Sequence, residues 1–291
     1  MLDLHRLSLH GHEVAYRLAG EGATLLFVHG LAGDSRTWLE AMRRLAPRYR
    51  VLAPDLPGHG ASAKTAGDYS LGAHACFLRD LLKQLGIGRA TLVGHSLGGG
   101  IALQLTYQFP ELCERMVLVA SGGLGPDVSP LLRLLAMPGA EAVLRLAFPS
   151  FVLRRGEALR AWLRARGIRA PGIVEKWNAY TSLADAETRR AFVRELRAVV
   201  DGRGQVVSAR DRLYLATHPT LIVWGDRDSI IPPSHARTAH EALPGSRLVI
   251  FEGADHFPHA ELPDRFAEVL GDFVDTTAPG PPVSAAERCE A

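Results

Sequence analysis

Ser96 sits in VGHSLGGG, residues 93–100, directly after the apolar run ATLV and before the apolar stretch IALQLTYQF. A serine hydroxyl becomes a nucleophile when a base takes its proton and a carboxylate holds that base, so the chain must also supply a histidine and an acid. Two stretches do. LIVWGDRDSIIP places Asp226 and Asp228 just past one apolar run, and VIFEGADHFPH places His256 just past the next. Serine, aspartate, histidine is the order expected when the nucleophile stands on a G-x-S-x-G turn between strand and helix. Gly94 and Gly98 would allow a strained backbone at the serine and a close approach of helix to strand, whereas Gly99 and Gly100 suit helix packing. The Leu97 N–H, opening the helix, is free to donate to an anion.

These residues cooperate only if a scaffold carries them to one edge. LDLHRLSL and HEVAYRL alternate with period two around HGH, which predicts an initial hairpin. TLLFVHG, RVLAPD, ATLVG, RMVLVAS, PTLIVWG and SRLVIFEG read as strands, most of them apolar throughout, separated by helical stretches such as LGAHACFLRDLLKQLG and PDRFAEVLGDFV. Strand–helix alternation of this kind builds an α/β fold, a parallel, doubly wound sheet whose ligands bind at the carboxyl ends of its strands.

Gly125 to Asp211 differs. It is rich in arginine, alanine and leucine at helical spacing, without a clear strand, and is too long for an ordinary connection. It reads as an inserted helical cap, residues 125–211, on a discontinuous core of residues 1–124 and 212–275; the proline-rich tail, 276–291, reads as disordered. The cap carries 15 basic and 9 acidic residues, which fits either a solvated outer face or an anion-attracting pocket rim. Its large aromatics, Phe148, Phe151, Trp162, Trp177 and Tyr180, suit the cap's own core or a pocket lining. Trp162, Trp177 and Phe257, next to His256, are the candidate substrate-binding residues.

The chain has 291 residues, 47% hydrophobic and 22% charged, with a net charge of +2. That composition belongs to a globular protein and provides no general attraction to nucleic acid. No window approaches a membrane span, and the amino terminus lacks the pattern of a secretory signal. Cys76, Cys113 and Cys289 have neither metal-ligand nor redox-pair spacing, so the expected compartment is a reducing cytoplasm, with no metal or cofactor implied. Oligomeric state is not legible.

With HGLAG, DLPGHGAS, GHSLGG, GDRDSIIP and GADHFPHAELP in that order, the chain resembles the α/β-hydrolase fold family over about residues 11–275, in its capped, single-domain serine esterase form. The resemblance implies a mostly parallel eight-stranded sheet, Ser96 as nucleophile, Asp228 rather than Asp226 as acid and His256 as base. It assigns the oxyanion contacts to the backbone N–H groups of Leu31 and Leu97, and the substrate to the small-molecule acyl class. Serine at the elbow argues against the dehalogenase and epoxide-hydrolase branches, whose intermediate needs a carboxylate. Carbon–carbon bond hydrolases commonly carry asparagine before the nucleophile and tryptophan after the histidine, where this chain has His95 and Phe257. Acyl transfer or cyclisation on the same three residues, and a ligand-binding receptor that retains the pocket, are the remaining readings. His29, His59, His95, His259, Glu261 and Asp55 are expected to organise loops.

Overall fold

The computed structural model describes residues 2–167 and 171–280. Its strands are Leu4–Leu9 (β1), His12–Ala19 (β2), Thr24–Val28 (β3), Arg50–Pro54 (β4), Ala90–His95 (β5), Cys113–Val119 (β6), Thr220–Gly225 (β7) and Arg247–Phe251 (β8). They form one sheet in the order β1-β2-β4-β3-β5-β6-β7-β8. β2 runs antiparallel to both neighbours and the other contacts are parallel, as the eight-stranded fold expected from the motifs requires. His10 and Gly11, at φ 51° and 81°, close the predicted β1–β2 hairpin in two residues.

The core helices are Leu39–Leu45 (α1), Leu71–Gln84 (α2) and Leu97–Gln108 (α3). Five more, Pro130–Ala136 (α4), Ala140–Leu146 (α5), Ser150–Ala165 (α6), Pro171–Ser182 (α7) and Ala186–Val199 (α8), fill the stretch between β6 and β7. Ser234–Ala242 (α9), Pro258–Glu261 (α10) and Pro263–Thr276 (α11) complete the chain.

Period-two geometry explains why an inner parallel strand such as β3 is apolar along its length. Leu25 and Phe27 of β3 face Trp38, Met42 of α1 and Phe266 of α11, while the intervening Leu26 and Val28 face Leu78 of α2 and Ile101 of α3. Each such fully buried side chain contributes about 2 kcal/mol. On the β6–β7 side, Leu118, Ile222 and Trp224 share a cluster with Leu196 of α8 and Ala236 of α9, so one of the five helices between β6 and β7 is packed into the core.

The carboxyl end differs from the disordered tail expected from residue 276. The Gly280 N–H donates to the Glu114 carbonyl at 2.8 Å, and the Gly280 carbonyl accepts from Arg89 at 2.6 Å. Arg115 holds Thr277 through its hydroxyl and carbonyl. Proline and polar composition signalled disorder, yet arginines at the amino-terminal ends of β5 and β6 satisfy this backbone; residues 281–291 lie outside the described residues.

Candidate active site

β5 delivers Ser96 into a turn with φ 53° and ψ −118°, an uncommon backbone for a non-glycine residue, immediately before α3 begins. Close packing holds the turn there. A Cβ on Gly94 would lie 2.2 Å from the Gly98 carbonyl oxygen, and one on Gly98 would lie 2.2 Å from that of Val28. On Gly99 it would meet the Ser121 hydroxyl at 2.1 Å, whereas on Gly100 it would have nothing nearer than Leu71 at 3.6 Å and the Gly122 carbonyl oxygen at 3.8 Å, ordinary contact distances. Gly99 therefore packs α3 on the turn after β6, and Gly100 forms a floor with space above it.

The loops after β7 and β8 bring the other two groups. His256 Nε2 lies 3.1 Å from Ser96 Oγ, and His256 Nδ1 lies 2.9 Å from Asp228 Oδ2. Asp228 Oδ1 also accepts from the Ile230 and Ile231 N–H groups, each at 2.9 Å, so its carboxylate is fixed on both sides. Asp226 instead accepts from the Gly253 N–H at 2.6 Å and serves the neighbouring turn. Glu261 accepts from the Asp255 and Phe257 N–H groups, clamping the His256 loop from the α10 side.

A bank of rings backs His256. His95 donates from Nε2 to the His256 carbonyl at 2.8 Å; its ring lies 4.9 Å from that of His256 and 4.6 Å from that of His259, and Trp38 lies 4.1 Å from His259. Burial, with His259 and His256 nearby, pushes the His95 pKa well down, and burial pushes His259 down to about 3. Both rings stay neutral at ordinary pH, so neither adds a like charge beside an imidazolium at His256. His29 is held near 4, mainly by burial; it donates to the Gly30 carbonyl and accepts from the Leu56 N–H. Asp55 accepts from the Ser35 and Ala61 N–H groups, each at 2.8 Å, as a loop organiser should.

Ser96 lies on two cavities. One is lined by His256 and Phe257 together with Asp34, Arg36, Glu175 and Asn178. The other is walled by Leu97, Val128, Leu132, Leu196 and Val199 over the Gly100 floor. Leu31 lines both. As first residue of α3, Leu97 has no intrahelical acceptor for its N–H.

Two of the three predicted substrate-binding residues are elsewhere. Trp162 is 47% exposed, with the Arg166 guanidinium 4.1 Å from its ring, on the outside of α6. Trp177 packs across Gly156 and donates to Glu157 at 2.7 Å, joining α7 to α6. A sequence position inside a helix does not say which face is inward, and here the packing of α7 on α6 takes Trp177. Phe257 does line the His256-side cavity.

Glu195, not anticipated from the sequence, is fully buried on α8. It contacts His74 of α2 at 2.7 Å and His59 of the loop after β4 at 3.2 Å. Burial opposes its charge, but the two histidines prevail and hold its pKa down to about 2. Burial likewise works against the charge on His59, and Glu195 overrides it and raises that pKa. Among the described residues, no group of histidine, cysteine and carboxylate side chains is arranged to hold a metal, and no helix is long and apolar enough to cross a membrane.

The sequence profile of the alpha/beta hydrolase family matches residues 25–269, and the chain belongs to that family. An uncharacterized protein of Mycobacterium tuberculosis is 44% identical over 276 residues, covering 94% of this chain and 81% of its own. The 2-hydroxymuconate semialdehyde hydrolase of a Pseudomonas species is 30% identical over 263 residues, covering 88% of each chain. Among solved structures, a thermophilic esterase from Thermogutta terrifontis superposes with a TM-score of 0.74 at 25% identity, covering 94% of this chain and 98% of its own.

Proposed function

We propose that the protein is a serine hydrolase that cleaves a carboxylic ester through an acyl-enzyme on Ser96. The observation that carries this is the line from Asp228 through both ring nitrogens of His256 to Ser96 Oγ, opening on two cavities. His256 Nε2 takes the hydroxyl proton as Oγ attacks the ester carbonyl carbon, and Asp228 orients the ring and offsets its positive charge. Backbone N–H groups of Leu31 and Leu97 receive the oxyanion, each worth about 3 kcal/mol of barrier. When the tetrahedral species collapses, the carbon–oxygen bond breaks and His256 returns its proton to the departing alkoxide. A water molecule, deprotonated by the same nitrogen, then releases the acid.

Because His256 must reach the leaving oxygen, the cavity lined by His256 suits the alcohol portion, and the apolar cavity beyond Leu97 suits the acyl chain. Gly100→Val should therefore place a branched side chain in the acyl space. The expected result is a fall of about tenfold or more in the ratio of kcat/KM for p-nitrophenyl octanoate to that for the acetate. An unchanged ratio would remove the acyl assignment.

The second reading, carbon–carbon bond hydrolysis, is supported by the 30% identity to the 2-hydroxymuconate semialdehyde hydrolase. A panel of p-nitrophenyl esters of increasing chain length, assayed beside a vinylogous diketone, separates the two. Ester turnover without diketone cleavage is expected; diketone cleavage at the higher kcat/KM would replace the first reading with the second.

A further inference from the structure

The His256-side cavity has an unusual charge balance. Its lining includes two carboxylates, Asp34 and Glu175, and one guanidinium, Arg36. Arg36 is already engaged by Asp34, with Nε at 2.9 and 3.0 Å from the two carboxylate oxygens and Nη2 at 2.6 Å from Oδ2. Among the described residues no basic side chain forms an ion pair with Glu175. Asn178, one turn along α7, has its side-chain carbonyl occupied by Arg160 at 3.0 Å, which leaves its amide hydrogens to serve the cavity. Phe257 contributes an aromatic ring to the same lining.

We infer that this cavity selects esters whose alcohol portion carries a positive charge, with Glu175 as the specificity-determining residue; the inference rests on the hydrolase reading above. A quaternary ammonium there meets a carboxylate with which no basic side chain among the described residues forms an ion pair, Arg36 and Arg160 acting on it only from a distance, and an aromatic ring suited to cation–π contact. An anionic alcohol portion meets two carboxylates and an arginine whose fork is already filled by Asp34, so it loses on both counts. Burial, reinforced by Asp34 and offset in part by the Thr37 hydroxyl and by the charges of Arg36 and Arg160, raises the Glu175 pKa.

The test uses three butanoate esters matched in size: the 2-(trimethylammonio)ethyl ester, its uncharged 3,3-dimethylbutyl isostere and a carboxyalkyl ester, assayed at pH 8. The expected order of kcat/KM is cation, neutral, anion, with steps of about five- to tenfold expressed mainly in KM. Glu175→Gln should bring the cation-to-neutral ratio within about twofold, and Glu175→Asp should restore much of it. The ratio is unaffected by how much of a variant folds. A preference for the anion, equal rates on all three esters, or a ratio that survives Glu175→Gln overturns the inference. Turnover of p-nitrophenyl butanoate in the same preparation distinguishes the layers: where it is intact, such results remove the charge selectivity alone, and where it is absent the hydrolase reading falls and takes the selectivity with it.

Discussion

Ser96→Ala is expected to lower kcat for p-nitrophenyl butanoate by about four to six orders of magnitude. The loss is large because the hydroxyl is the atom that forms the bond; backbone donors and two cavities retain only orientation and some oxyanion stabilisation. The fold should survive, since alanine takes the same φ of 53° as the serine it replaces and the glycines that shape the turn are untouched. Thermal midpoints of the two proteins should agree within about 2 °C. Adding His256→Ala to Ser96→Ala should cost little more, because groups that act as a unit are not additive. A Ser96→Ala protein that keeps a tenth of the wild-type rate would end the proposal.

The second large effect is on stability. Glu195→Gln removes the buried negative charge that α8 sets against His74 and His59 and leaves His59 buried without its ion-pair partner. A carboxyl held at about 2 instead of its ordinary 4.5 corresponds to about 3 kcal/mol, or a fall of about 10 °C in the thermal midpoint. The sign with pH follows from each partner. The Glu195 contribution is complete above pH 4.5 and is lost as pH falls toward 2; that of His59, whose pKa is raised, is complete below 6.5 and is lost as pH rises through the raised value. The difference between wild type and variant should be greatest between about pH 4.5 and 6.5. Thermal unfolding across pH 3–9 measures it, and a flat difference, or none, would show that the contact contributes only packing.

Much of the scaffold was legible because parallel strands buried on both faces must be apolar throughout: TLLFV, ATLVGH and TLIVWG admit few other readings. The convergence of Ser96, Asp228 and His256 was legible for a related reason, since they lie one, three and five residues past the ends of parallel strands and the sheet brings those ends together. The loop roles of Asp55 and Glu261 were legible as well, because short glycine turns and helix entries need acceptors. The stretch between β6 and β7 is legible only as helices. Which side of α6 or α7 faces inward depends on contacts distant in sequence, so the sequence admits Trp162 and Trp177 to a pocket lining or to helix packing alike and does not single out Glu175 and Asn178. Glu195 gave no signal at all, since a glutamate among arginines on an amphipathic helix looks like surface. The docking of Thr277 and Gly280 was hidden in the same way: Arg89 and Arg115 supply it from far back in the chain.

The origin of the cavity walls also bears on how such an enzyme diversifies. Ser96, Asp228 and His256 lie on turns after β5, β7 and β8, where even a methyl group on Gly94 or Gly98 would collide with backbone. Leu132, Glu175, Asn178, Leu196 and Val199, which shape what can be bound, all come from one uninterrupted stretch between β6 and β7. One part of the cavity wall is thus carried on a piece of chain separate from those turns, while Leu31, Asp34, Arg36, Leu97 and Phe257 contribute to the rest. Exchanging the cavity-lining Leu132, Glu175 and Asn178 of α4 and α7 is expected to change substrate range while leaving the core packing of α8 and its Glu195 in place, whereas a single alanine at the elbow would not be tolerated.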